Sequence, residues 1–188
     1  MRNKRKPLLI VCLVGVLVLI SCQISAGGPI PSRTVSASNQ AANELKETLD
    51  YAFNNPDPSG LITITLTEPQ LTSLLEQQLS QQPQPYLQDS QVFLQNEQVE
   101  IFGVIQMSAV KANARFILQV GTDQNGKLTA TLISVDLGPL PAPQSLVENI
   151  SALIDSAMQE SISSMTSSIK IENVNITNGL MTISGRRR

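Results

Sequence analysis

The chain has 188 residues, with 13 Lys and Arg against 15 Asp and Glu, no His, no Trp and two Cys. No imidazole base, no Ser-His-Asp or Cys-His arrangement and no His-ligated metal can be built from it, and two Cys do not make a Cys-rich zinc or iron–sulfur site. The charge is segregated: Arg2, Lys4, Arg5 and Lys6 open the chain and the first 21 residues hold no acid, so that without them nine bases face 15 acids, a net of −6. An acidic body without a basic stripe excludes nucleic acid as the expected partner.

The basic start leads into the uncharged run Pro7 to Ile20. As a helix these 14 residues would span about 21 Å, short of the ~30 Å hydrocarbon core, which fits the apolar region of a signal peptide better than a membrane span. The run ends in Leu19-Ile20-Ser21-Cys22. This resembles a bacterial lipobox, with a branched apolar residue three places and a small residue one place before the cysteine. The resemblance implies that residues 1–21 are a lipoprotein signal peptide, that Cys22 is diacylglycerated, and that the mature protein sits outside the cytoplasm on the cell membrane. Val11 before Cys12 is too bulky for that role. The alternative is an uncleaved signal anchor with Cys22 an ordinary cysteine. Neither reading leaves a disulfide. Residues 22–37, rich in Gly, Pro and Ser, read as a flexible tether of about 20 Å root-mean-square span, and residues 38–188 as one domain.

Within that domain, Ala41, Leu45, Leu49, Ala52 and Phe53 share one face of a predicted helix over 38–53. The turn-rich stretch Asn54 to Gly60 follows, then Leu61 to Thr67 alternates strictly as a half-buried strand. Thr67-Glu68-Pro69-Gln70 has the form of a capping box with proline at the helix start, and Leu71, Leu74, Leu75 and Leu79 stripe the helix expected to about Gln82. From Gln91 to Asp136 the pattern is strands and tight turns, with Val99, Ile101, Ile105 and Met107 on one face and Ala112, Ala114, Phe116, Leu118 and Val120 on another. Asp123-Gln124-Asn125-Gly126 hints at a calcium loop but lacks its closing carboxylate, and Asn-Gly between alternating strands is a hairpin signal. A stiff connector, Gly138 to Pro143, precedes the longest predicted helix, 144–164, whose apolar positions include Leu146, Ile150, Leu153, Ile154 and Met158, with Glu148 opposite. Two final strands carry a predicted bulge near Glu172-Asn173 and a turn at Asn178-Gly179. The sequons at Asn149 and Asn175 are chance matches in a chain with a bacterial lipobox.

In order, ITLTEPQLTSLLEQQL, QVEIFGVIQ, FILQVGTDQNGKLTATLISVDLGPLPAP, QSLVENISALIDSAM and IKIENVNITNGLMTISGRRR resemble envelope proteins of the YpmS-like and LmeA-like type, over roughly residues 60–185. That resemblance implies an α+β fold of the TULIP (tubular lipid-binding) kind, a curved antiparallel sheet wrapped around a long helix. It implies lipid or lipoglycan handling, with no catalytic residue and no cofactor.

Three functional readings follow. In the first, an apolar groove lined by Ile101, Ile105, Phe116, Leu118, Leu132, Ile150, Ile154 and Met158 holds an acyl chain or isoprenoid; the bland counterpart is that these side chains fill the core. Few aromatics and many small strand residues (Gly103, Ala109, Ala112, Ala114, Ala130) favour open space. The second is a tethered scaffold that binds a protein through the polar face of the second helix, at Glu76, Gln77 and Gln81. The third is an enzyme using two carboxylates among Glu97, Glu100, Asp123 and Asp136, although no spacing brings two of these together.

Overall fold

The structure, a computed structural model, describes residues 24–25, 27–81, 87–107, 110–157 and 169–187. The expected signal peptide, with Cys12, and Cys22, Ala109, Met158 and the predicted helix beyond residue 157 lie outside the described residues. In chain order the elements are β1 (Ile24–Ser25), α1 (Asn39–Asn54), β2 (Leu61–Thr67), α2 (Glu68–Ser80), β3 (Leu87–Gln95), β4 (Gln98–Met107), β5 (Val110–Thr122), β6 (Leu128–Asp136), α3 (Gln144–Ala157), β7 (Ile169–Thr177) and β8 (Leu180–Arg187).

Local chemistry sets the boundaries. Ser38 caps α1 by accepting the Ala41 N–H at 3.0 Å. Thr67 and Gln70 form the expected capping box, so α2 begins directly where β2 ends. Asn96-Glu97 closes the β3–β4 hairpin and Asn178-Gly179 the β7–β8 hairpin, each as a two-residue loop with both φ values positive, the primed-turn geometry that matches strand twist. At the β5–β6 turn Asp123 Oδ1 accepts the N–H groups of Asn125 and Lys127, both at 2.8 Å. This carboxylate serves a turn. Among the described residues no cluster of three metal-ligating side chains occurs.

The class is α+β, but the strands form two sheets that do not close. One has β3, β4, β5 and β6 as an antiparallel meander, with the two-residue β1 parallel to the start of β5; the other is antiparallel in the order β2-β8-β7. A single sheet was expected, and the free edge of β3 shows why it divides. The N–H groups of Ser90, Val92 and Leu94 donate to Glu76 Oε1, Thr72 Oγ1 and Glu68 Oε1 on α2, at 2.8, 2.9 and 2.9 Å. A helix thus occupies the place where another strand would pair, and β2 finds β8 instead. The sheets are tied by hydrogen bonds from Gly179 N–H to Leu94 O and from Ile171 N–H to Gly126 O. The bulge in β7 falls between Ile171 and Asn173.

The inner faces of both sheets share one apolar cluster that includes Ile62, Ile64, Val92, Leu94, Leu118, Ile171 and Ile183. A second cluster joins Leu79, Leu87, Ile105, Ala112, Ala114 and Phe116 to Leu137, just after β6, and to Leu146 and Ile150 of α3. The third lies on the outer face, where Val35 packs with Phe93 and Phe102, whose rings meet edge to face at 5.3 Å. That cluster places much of the expected tether against the domain. Gly27 O accepts the Asn113 N–H, Val35 N–H donates to Gln91 Oε1, and Arg33 stacks over Phe93 while pairing with Glu68. Residues 27–38 form a strap across the sheet.

Candidate functional site

An apolar cavity of about 410 Å³ lies between the sheets and the three helices. It is nearly three times the ~150 Å³ engineered cavity that admits benzene, and lies within the range of ~300 to 1,000 Å³ of small-molecule sites. Of its 25 lining residues 22 are apolar. They come from α1 (Leu45, Leu49), α2 (Leu71, Leu74, Leu75, Leu79), the inner faces of β2 to β6 and β8, and α3 (Ile150, Leu153, Ile154). The exceptions are Gln78, Gln81 and Ser156; Gln81 and Ser156 are exposed. The space therefore reaches solvent beside the C-terminal ends of α2 and α3.

The wall is apolar because each element presents one face to it. Leu71, Leu74, Leu75 and Leu79 recur at helical spacing. Phe116, Leu118 and Val120 recur at strand spacing on β5, as Val99 and Ile101 do on β4. A wall of this composition offers shape and dispersion contacts to an alkyl or isoprenoid chain, with amide and hydroxyl groups only at the mouth.

Of the residues expected at a groove, Ile101, Phe116, Leu118, Ile150 and Ile154 line this cavity. Ile105, 1% exposed, is packed in the second cluster, and Leu132 is half-buried against both clusters without lining the space. The small-residue argument holds for one position. Ala130 lines the cavity, whereas Ala112 and Ala114 are packed in the second cluster and a Cβ at Gly103 would meet the Leu87 side chain at 2.5 Å. The space arises from how the elements splay around the leucines of α1 and α2, which a list of small residues does not reveal. Those leucines are legible as the apolar faces of two helices but not as the wall of a site.

The carboxylates are placed differently from expectation. Register puts Arg115 opposite Asp136, and its guanidinium lies 3.4 Å from the Asp136 carboxylate and 3.9 Å from that of Glu100. Two of the four acids thus converge on one arginine on the outer face. Neither lines the cavity. Glu97 borders a polar cleft of about 270 Å³ with Gln119, Asn173 and Asn175. Glu76, expected on a free polar face, accepts both the N–H and the hydroxyl of Ser90, and Gln81 sits at the cavity mouth.

These features define an α+β domain with an internal apolar cavity open at one side. No family model matches the chain, and no curated protein matches it. Among the described residues no helix is long and apolar enough to cross a membrane.

Proposed function

We propose that the chain is a lipoprotein, anchored through Cys22 to the outer side of a bacterial membrane, and that its domain holds the apolar part of a lipid, an acyl chain or isoprenoid, without catalysing a reaction on it. The observation that carries the ligand reading is the cavity, with 22 apolar residues among the 25 that line it. The anchor reading rests on the basic start, the 14-residue apolar run and Leu19-Ile20-Ser21-Cys22. The resemblance to the YpmS-like and LmeA-like proteins adds lipid or lipoglycan handling, and with it the finer fold reading of strands curving around α3 in the TULIP manner.

Native mass spectrometry of the chain from Gln23 onward tests the ligand. A saturable adduct that organic extraction identifies as a lipid supports the proposal; the bare polypeptide mass alone counts against it. The chain should start at Gln23, because removing the strap would uncover Phe93 and Phe102. The anchor is tested separately by Cys22→Ser, which should block processing. A variant still cleaved and membrane-bound like the parent overturns that part.

A further inference from the structure

We propose that the domain rests on the bilayer by the β1 edge of its larger sheet, touching lipid through two adjacent uncharged loops, Pro29–Pro31 and Pro139–Pro141. The proposal rests on the reading of Cys22 as the lipid-bearing residue and adds the face that the anchor presents to the membrane. One residue, Gln23, separates Cys22 from Ile24, which pairs with Val110 at the start of β5. Two residue steps reach at most ~7 Å, so an anchor there holds this edge near the lipid.

The same edge carries the loops. Gly27 and Gly28 lie beside Asn113, three residues along β5 from Val110, or ~10 Å. Gly138, with a φ of +67°, approaches Gly28 so closely that a Cβ on it would stand 2.6 Å from the Gly28 Cα. The two proline-flanked loops therefore leave the sheet side by side, within ~20 Å of Cys22. Ile30, between Pro29 and Pro31, is 76% exposed, more than any other large apolar side chain among the described residues. No charged residue lies from Gly27 to Ser32 or from Leu137 to Val147. Asp136, which precedes the second loop, is paired with Arg115. An exposed isoleucine amid uncharged loops is unusual on a surface with an acidic balance, and it suits the boundary between headgroups and acyl chains. A protein partner would fit such a patch as well, but only a bilayer is guaranteed by an anchor this near.

The mature lipidated chain in phosphatidylcholine vesicles tests this, with a fluorophore placed in turn at Ile30→Cys and Leu140→Cys on the loops and at Gln95→Cys and Lys170→Cys elsewhere. Quenching by bromine-labelled phosphatidylcholine should be about threefold stronger at the two loop positions, since labels at the headgroup boundary lie within ~5 to 10 Å of the acyl region. Adding Ile30→Asp should weaken quenching at position 140 while the protein still floats with the vesicles. Equal quenching at all four positions in floating protein overturns the proposal and leaves the anchor intact. Loop protection seen only in native membranes and not in pure lipid also overturns it, in favour of a protein partner. Failure to float overturns the Cys22 reading and the docking face with it.

Discussion

Thr72, with no exposed surface, accepts the backbone N–H of Val92 through its hydroxyl at 2.9 Å. Glu68 and Glu76, one helical turn to either side, do the same for Leu94 and Ser90. Spacing of four residues along α2 advances about 6 Å, close to the two-residue step along β3 that separates successive outward N–H groups. The helix thus serves as a surrogate strand. It leaves no open ladder at that edge for another chain to join, and it fixes α2, whose leucines wall the cavity, against the sheet.

Thr72→Val should therefore destabilise the protein by about 1 to 3 kcal/mol. The valine matches the threonine in shape but strands the Val92 N–H in a buried site. Denaturant melts measure the loss, and hydrogen exchange should show the Val92 amide, protected in the parent, opening early. A melt identical to the parent's would mean that the helix covers β3 without satisfying it.

The β3–β4 hairpin offers a change in the other direction. Asn96 and Glu97 have φ values of 54° and 61°, a region that asparagine tolerates and glutamate does not favour. Glu97→Gly should remove that strain and stabilise the protein by roughly 0.5 to 1 kcal/mol, offset in part by the greater freedom of glycine in the unfolded chain. A rise in Tm checks it.

Periodicity made the helices and most strands legible, because their buried faces repeat at 3.6 or 2 residues. Three features broke that signal. The register shift between Gln88 and Gln91, with Asp89 at a φ of 51°, interrupts alternation at the start of β3, so sequence reading opens this strand at Gln91 instead of Leu87. The strap has no period at all, since Val35 is held by a single apolar contact site and Arg33 by stacking and pairing. Phe93 and Phe102 fall on the phase that alternation assigns to solvent, and only the strap above them makes that face a core. At the cavity, the sequence pointed to five of the 25 lining residues, Ile101, Phe116, Leu118, Ile150 and Ile154, because whether apolar faces touch one another or enclose space depends on helix positions that no local pattern encodes.

Two turn carboxylates set a direction for acid sensitivity. Asp57 is held below its ordinary value of 3.8, chiefly by the Ser59 hydroxyl and then by the Leu61 N–H, and Asp123 chiefly by the Lys127 N–H. A carboxylate whose folded value is depressed contributes stability that is fully present above the unfolded value and is lost as pH falls through the folded one. Stability should accordingly be flat from neutral pH down to about 4 with respect to these groups and decline below that. In Asp57→Asn and Asp123→Asn the decline should be shallower, so that each variant's deficit against the parent narrows below pH 4. Melts across pH 2 to 7 test this, and a deficit that stays constant with pH would show that neither turn favours the ionised form.

The cavity makes its own prediction through two alanines on adjacent strands. Ala130 on β6 lines the space, whereas Ala114 on β5 is fully buried in the second cluster and does not. Ala130→Phe should place its ring in the cavity with little strain and weaken binding of an apolar fluorescent probe or of the co-purifying lipid by about tenfold, or ~1.4 kcal/mol. Ala114→Phe must push into packed neighbours, and should cost about 1 to 3 kcal/mol of stability. Paired melts and probe titrations separate the two effects, because occupied ligand space and overpacked core predict opposite outcomes at the two positions. If both variants lost stability alike and the parent bound no probe with saturation, the space would not admit a ligand and the lipid-binding reading would fall.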